Sequence, residues 1–218
     1  MAAFAVSGCR QGPNPDSSPS AFQVVNAVGD SGDLAASVDG KQIFGKVGYG
    51  DDSGLYGVQP GRYDIAVTVD AENVPVPFGT TPIAVDAQRH YTAIAFGVPL
   101  APNRLAIFSV PKPTDQERKV AEASGKSTVR VFNAAQGADK VDVLVNSIVA
   151  FKNVPYGGTS DAIPLASLPY EWNVKPAGDS DDDYINPVTI DLKSGHHYVV
   201  VIMGSVADSD IQIKAYEE

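Results

Sequence analysis

Apolar residues in this chain alternate with polar ones over short windows, and Gly, Pro, Asn and Asp fall between the windows. Alternation with a period of two sends every second side chain to one face, which is the pattern of a half-buried strand. In the first half it predicts strands over residues 22–27, 34–38, 43–47, 54–58, 62–69, 83–85, 91–96 and 105–110. The window 62–69 is the clearest, with Tyr63, Ile65, Val67 and Val69 on one face. Asp39-Gly40 suits a tight hairpin whose central residues need positive φ, and Pro60-Gly61 sets up a further turn. Residues 198–203 break the rule: they are apolar throughout, which predicts a strand buried on both faces.

The pattern recurs. Shifting the chain against itself by 107 residues brings Val24, Asn26 and Ala27 onto Val131, Asn133 and Ala134. The same shift aligns Phe44, Val47, Tyr49 and Gly50 with Phe151, Val154, Tyr156 and Gly157, and His90, Tyr91 and Gly97 with His197, Tyr198 and Gly204. An internal period of this kind marks a duplicated structural unit. Seven or eight short strands in about a hundred residues point to a sandwich. The fold class is therefore all-β: two tandem antiparallel β-sandwich domains of immunoglobulin or transthyretin type, joined by a short charged linker helix.

The expected organisation is a signal remnant over residues 1–9, a flexible tether over 10–20, and a first sandwich over 21–111. A linker over 112–127 and a second sandwich over 128–218 complete it. Within the linker, Thr114-Asp115-Gln116-Glu117 fits a capping box and Gly125 a helix stop. That helix is mostly charged and reads as a solvated spacer.

Bulk composition narrows the functional classes. The 218 residues are 44% hydrophobic with a formal net charge of -10, and no cluster of Lys and Arg stands out. Nucleic-acid binding draws its affinity from such clusters, so a nucleic-acid partner is not expected. No stretch approaches the roughly 18 apolar residues of a membrane-spanning helix.

The N-terminus carries the strongest hint of location. Residues 1–9 (MAAFAVSGC) end in Val6-Ser7-Gly8-Cys9, which resembles the lipobox of bacterial lipoproteins, where small residues precede a cysteine that is lipidated. The apolar run is shorter than a secretory signal, and no Lys or Arg precedes it. Residues 10–20 (RQGPNPDSSPS) have almost nothing to bury and read as a tether holding a folded unit off a membrane. Lipidation of Cys9 would place the chain in the cell envelope, periplasmic or at the cell surface.

Residues 24–69 resemble the bacterial domain-of-unknown-function family 4397. The likeness is carried by an opening Val-Asn-Ala strand, the hairpin at Val38-Asp39-Gly40-Lys41, and the step Phe44, Val47, Tyr49, Gly50. It is completed by the turn at Pro60, Gly61 and Tyr63 and by a late Tyr-Thr strand ending in Gly97. The second half matches at Val141-Asp142-Val143, Phe151, Val154, Tyr156, Gly157 and Tyr170. It departs at its turns, where Asn146-Ser147 replaces Asp-Gly and Leu168-Pro169 replaces Pro-Gly, which predicts looser hairpins. The resemblance implies a tandem, β-rich, secreted or lipid-anchored protein and supplies no catalytic residues.

Candidate chemistry is sparse. Tyr49, Tyr56, Tyr156 and Trp172 would make a sugar-stacking surface if exposed, although aromatic residues on strands more often pack in cores. Asp179, Asp181, Asp182 and Asp183 cluster in one loop and suit weak calcium binding, but lack the Gly and Glu of an EF-hand. The histidines His90, His196 and His197 read as strand-edge residues, because neighbours on a strand point to opposite faces. No nucleophile elbow or phosphate-binding loop appears, so no catalytic residue and no cofactor beyond calcium is expected.

Three readings follow. The preferred one is a non-catalytic, lipid-tethered envelope protein serving adhesion, ligand binding or surface structure, with a membrane, a glycan or an envelope protein as partner. The alternative is an accessory carbohydrate-binding module, and a hydrolase using acidic residues ranks last.

Overall fold

The computed structural model describes residues 19–71, 74–98, 104–178 and 182–218. The chain forms sixteen strands and one helix among the described residues, arranged as two tandem β-sandwiches. The first contains β1 (Ser20–Val28), β2 (Leu34–Val38), β3 (Lys41–Val47), β4 (Tyr56–Val58), β5 (Gly61–Ala71), β6 (Val74–Val85), β7 (Arg89–Gly97) and β8 (Arg104–Pro111). After helix α1 (Asp115–Ala123) come β9 (Lys126–Asn133), β10 (Lys140–Val145), β11 (Ile148–Pro155), β12 (Ile163–Ala166), β13 (Pro169–Pro176), β14 (Val188–Asp191), β15 (His197–Met203) and β16 (Gln212–Glu217).

Each sandwich pairs two four-stranded sheets. In the first they run β4-β1-β7-β8 and β3-β2-β5-β6; in the second, β12-β9-β15-β16 and β11-β10-β13-β14. The pairing is antiparallel except at the centre of one sheet in each half, where β1 runs parallel to β7 and β9 to β15. The registers repeat: Val24 faces Ala93, and Val131 faces Val200.

Two strand expectations change. The sixth strand runs from Val74 rather than only over 83–85. Pro77 and Pro82 argue against a central strand, but β6 is an edge strand and a missing N–H can face outward there. The second hairpin is not looser than the first. Asp39 and Gly40 have φ of 48° and 77°, and Asn146 and Ser147 have 49° and 65°. In both turns the side chain accepts a backbone N–H from the strand that flanks the hairpin, Asp39 from Asp64 on β5 at 2.9 Å and Asn146 from Glu171 on β13 at 3.0 Å. Asn tolerates the left-handed conformation and reproduces this bond, so the replacement preserves the turn.

The capping box forms in the linker. The Glu117 carboxylate accepts the Thr114 N–H at 2.8 Å while the Thr114 hydroxyl accepts the Glu117 N–H at 3.2 Å. No residue of α1 is buried, and the helix ends beside the β14–β15 turn, where the Ser194 hydroxyl donates to the Glu122 carbonyl at 2.6 Å.

The core has three parts, not two. Phe22, Val24, Tyr91, Ala93 and Ala95 face the first sandwich interior, and Val129, Val131, Tyr198, Val200 and Ile202 face the second. The intervening residues on the same strands, Val25, Ala27, Ile94 and Phe96 on one side and Phe132, Val199, Val201 and Met203 on the other, form a third buried cluster. Sheet β4-β1-β7-β8 therefore packs face to face on sheet β12-β9-β15-β16, and the four sheets stack as one body. This explains the unbroken apolar run at 198–203: alternate side chains serve two different cores.

Candidate functional site

The junction between the repeats is built on an internal two-fold relation. A Cβ on Gly157 would lie 3.1 Å from the Phe96 ring, and a Cβ on Gly50 would lie 3.7 Å from Met203 Sδ. Gly50 and Gly157 are repeat equivalents, as are Phe96 and Met203. Each half thus presses its glycine turn onto the other half's central strand. Polar contacts rim the apolar centre. Tyr216 donates its hydroxyl to Gly50 O at 2.8 Å, Gln136 Nε2 donates to Gly97 O at 3.0 Å, and Gln23 Nε2 donates to Glu217 O at 2.6 Å. The Arg130 guanidinium lies over the Phe108 ring at 5.1 Å and pairs with the Glu218 carboxylate at 2.6 Å.

This junction takes two of the four aromatic candidates. Tyr49 and Tyr156 are partly buried against the inter-repeat cluster, and burial pushes both hydroxyls up in pKa. Tyr156 also meets Phe96 edge to face at 5.7 Å and carries Arg104 over its ring at 5.0 Å. Trp172 is 0% exposed in the second core, stacked on Phe151 at 6.1 Å. Tyr56 sits half-buried on β4, edge-on to Phe44 at 5.8 Å. The four are not brought together, and Trp172 offers no face to solvent.

Cys9, Asp179 and Asp181 lie outside the described residues. Asp182 and Asp183 are exposed. Among the described residues no three His, Cys, Asp or Glu side chains converge on a metal-sized site. The two adjacent histidines diverge: His196 Nδ1 pairs with Glu217 Oε1 at 2.6 Å, while half-buried His197 is held below the usual imidazole pKa, chiefly by burial.

A groove of about 360 Å³ opens along one edge of the first sandwich, between edge strands β6 and β8. Thr81, Ile83 and Ala84 line one wall, and Leu105, Ile107 and Ser109 the other. Ile83, Leu105 and Ile107 also pack on the first core, so the groove opens onto apolar interior. Tyr91, part of the lining, accepts the Asp86 N–H at its hydroxyl at 2.8 Å. At the Ser109 end stands Arg89, which donates from Nε to Ser109 Oγ at 2.9 Å and from Nη2 to Ser109 O at 3.3 Å. Among the ion pairs of the described residues none involves Arg89.

Sequence reasoning did not single out these residues. Their signal was a difference within the repeat. Strand register places Ser109 opposite Tyr91 and Glu217 opposite Tyr198, and Arg89 and His196 each stand two residues before those tyrosines. The second half therefore sets the Glu217 carboxylate against the His196 imidazole where the first half sets the Ser109 hydroxyl against Arg89.

The family model described as "Domain of unknown function (DUF4397)" matches residues 20–120 and again residues 127–218. No curated protein matches the chain. Among solved structures, the chain is similar to CBMbc of family CBM26 from Eubacterium rectale Amy13K, a structure in complex with maltoheptaose. That likeness covers 91% of this chain and 96% of the other at 11% identity, with a TM-score of 0.30.

Proposed function

The chain belongs to the DUF4397 family, and from that premise we propose that it is a non-catalytic cell-envelope protein, tethered by a lipid on Cys9. Its two fused sandwiches would act as one unit in adhesion, ligand binding or surface structure. The observation that carries this reading is the third apolar core between the repeats. Domains that work as a hinged pair usually meet through modest, polar contacts. Here the central strands of both repeats are buried on both faces, so the junction favours a rigid spacer over a closing cleft. The surfaces left for partners are the two outer sheets, the strand edges and the loops.

The reading as a non-catalytic protein draws support from how the buried ionisable groups are used. Asp142 accepts the backbone N–H of Asn153 at 2.7 Å, and Glu218 is clamped by Arg130. Both carboxylates are committed to holding the fold. The tether reading draws its support from Cys9 and the polar segment after it, and several acyl chains anchor stably where one does not.

The test is metabolic labelling in the native host with radiolabelled palmitate. The wild-type chain is expected to carry label and to sediment with membranes, and Cys9→Ser to lose both. Wild-type protein that takes up no label overturns the lipid tether.

A further inference from the structure

We propose that the groove between β6 and β8 binds a single-chain anionic amphiphile, its hydrocarbon on Ile83, Leu105 and Ile107 and its carboxylate on Arg89. This goes beyond the tethering reading and does not rest on it, since binding is measured on the purified protein whatever its location.

Three observations converge on that ligand. Beside the hydroxyls of Thr81 and Ser109, the groove wall carries Ile83, Leu105 and Ile107, core-type side chains that take hydrocarbon. The Arg89 guanidinium is bonded to Ser109 of the lining through Nε and Nη2, which uses two of its five N–H donors, and such N–H groups suit a carboxylate. The second repeat offers a comparison: at the positions equivalent by strand register, Glu217 Oε1 lies 2.6 Å from His196 Nδ1, so that half places a carboxylate of its own there. A ligand carboxylate on Arg89 would take in the first repeat the place that the Glu217 carboxylate holds in the second.

The β6 wall also discriminates between apolar ligands. An extended peptide lying in the groove would draw its affinity from a backbone ladder with a flanking edge. The β6 edge carries Pro82 in the lining and Pro77 nearby, neither with an N–H to donate. A hydrocarbon chain needs no ladder, so the proline-bearing edge costs it nothing.

The experiment is calorimetric titration of the full chain with octanoate, decanoate, dodecanoate and neutral dodecanol, all below their micellar concentrations. Dodecanoate is expected to bind at one equivalent, with affinity rising about tenfold for each two methylenes added, as burial of hydrocarbon dictates. Arg89→Gln is expected to weaken dodecanoate about tenfold, the scale of a lost charge-assisted pair, and to leave dodecanol unchanged. Thr81→Trp, which fills the groove from β6, is expected to abolish both. Leu105→Trp fills it from β8 at a partly exposed position and serves if the first variant does not fold. Absence of saturable dodecanoate binding overturns the proposal. So does equal weakening of dodecanoate and dodecanol by Arg89→Gln, or undiminished binding in a folded Trp variant.

Discussion

Phe96 on β7 of the first repeat meets Phe132 on β9 of the second edge to face, with ring centroids 5.1 Å apart. Both are buried, and the same Phe96 ring covers Gly157. Phe96→Ala should therefore cost about 3–5 kcal/mol, the range for emptying a packed aromatic site. The only tryptophan, Trp172, lies in the second core, so its fluorescence reports on the repeat that does not carry the substitution. Urea unfolding followed at Trp172 is expected to shift to lower midpoint in Phe96→Ala. An unmoved Trp172 transition would mean that the repeats unfold independently.

The Asn-Ala step shared by the two opening strands has a structural cause. Asn133 is fully buried: its Nδ2 donates to Ala138 O at 2.9 Å and Val154 O at 3.2 Å, while its Oδ1 accepts the Ala135 N–H at 3.1 Å. Asn26 repeats the bond to Val47 O at 3.0 Å and accepts the Val28 N–H at 3.1 Å. Each amide ties its opening strand to the end of the second hairpin strand. Because removal leaves several buried backbone groups without partners, Asn133→Ala should cost about 3 kcal/mol or more. Asn26→Ala should destabilise in the same direction. Denaturant titration of the two variants checks this, and Asn133→Asp should not rescue, since a carboxylate cannot donate to the two carbonyls.

The duplication, the sandwich class and the capped linker helix were legible in the sequence because they rest on local signals: alternation, turn residues and spacing. The union of the repeats was only half legible. Residues 198–203 announce a strand with two buried faces, but alternation cannot say whether the second face meets its own sheet partner or another domain. Tyr49 and Tyr156 illustrate the consequence, since alternation left open whether they stack on a ligand or pack in a core, and it is the opposite half that covers them. The groove was illegible for a different reason. Arg89 and Ser109 are ordinary residues, and only the register of β7 against β8 makes them neighbours.

His197 makes stability depend on pH in a defined direction. It is half-buried and faces Glu218, Arg130 and His196; burial lowers its pKa below 6.5, with Arg130 and His196 adding to the shift and Glu218 opposing it. The folded state thus binds this proton less readily than the unfolded chain does. The contribution of neutral His197 is full above pH 6.5 and declines as pH falls below it toward the folded value. In thermal melts run from neutral to mildly acidic pH, His197→Gln should show a shallower fall in Tm than the wild type. The other titrating groups are common to both proteins, so the difference between the two slopes isolates this residue. Parallel slopes would assign the acid sensitivity elsewhere.

The internal two-fold relation carries a consequence for a single repeat. Residues 127–218 alone would bare Phe132, Val199, Val201, Met203 and Tyr216, which the first repeat covers in the full chain. A contiguous apolar face of this kind does not stay solvated, and an interface whose two sides use equivalent positions is already self-complementary. Met203 stands where Phe96 stands in the partner sheet, and Gly157 where Gly50 does. Two copies of the second repeat can therefore reproduce the junction with Met203 pressed on Gly157 in both directions. Analytical ultracentrifugation of the isolated repeat should show a dimer, and Val201→Glu, which places a charge at the centre of the face, should return it to a monomer. The full chain, with that face already covered, should sediment as a monomer under the same conditions. A monomeric wild-type repeat would mean that the first repeat supplies contacts which the second cannot imitate, the Phe96–Phe132 pair foremost among them.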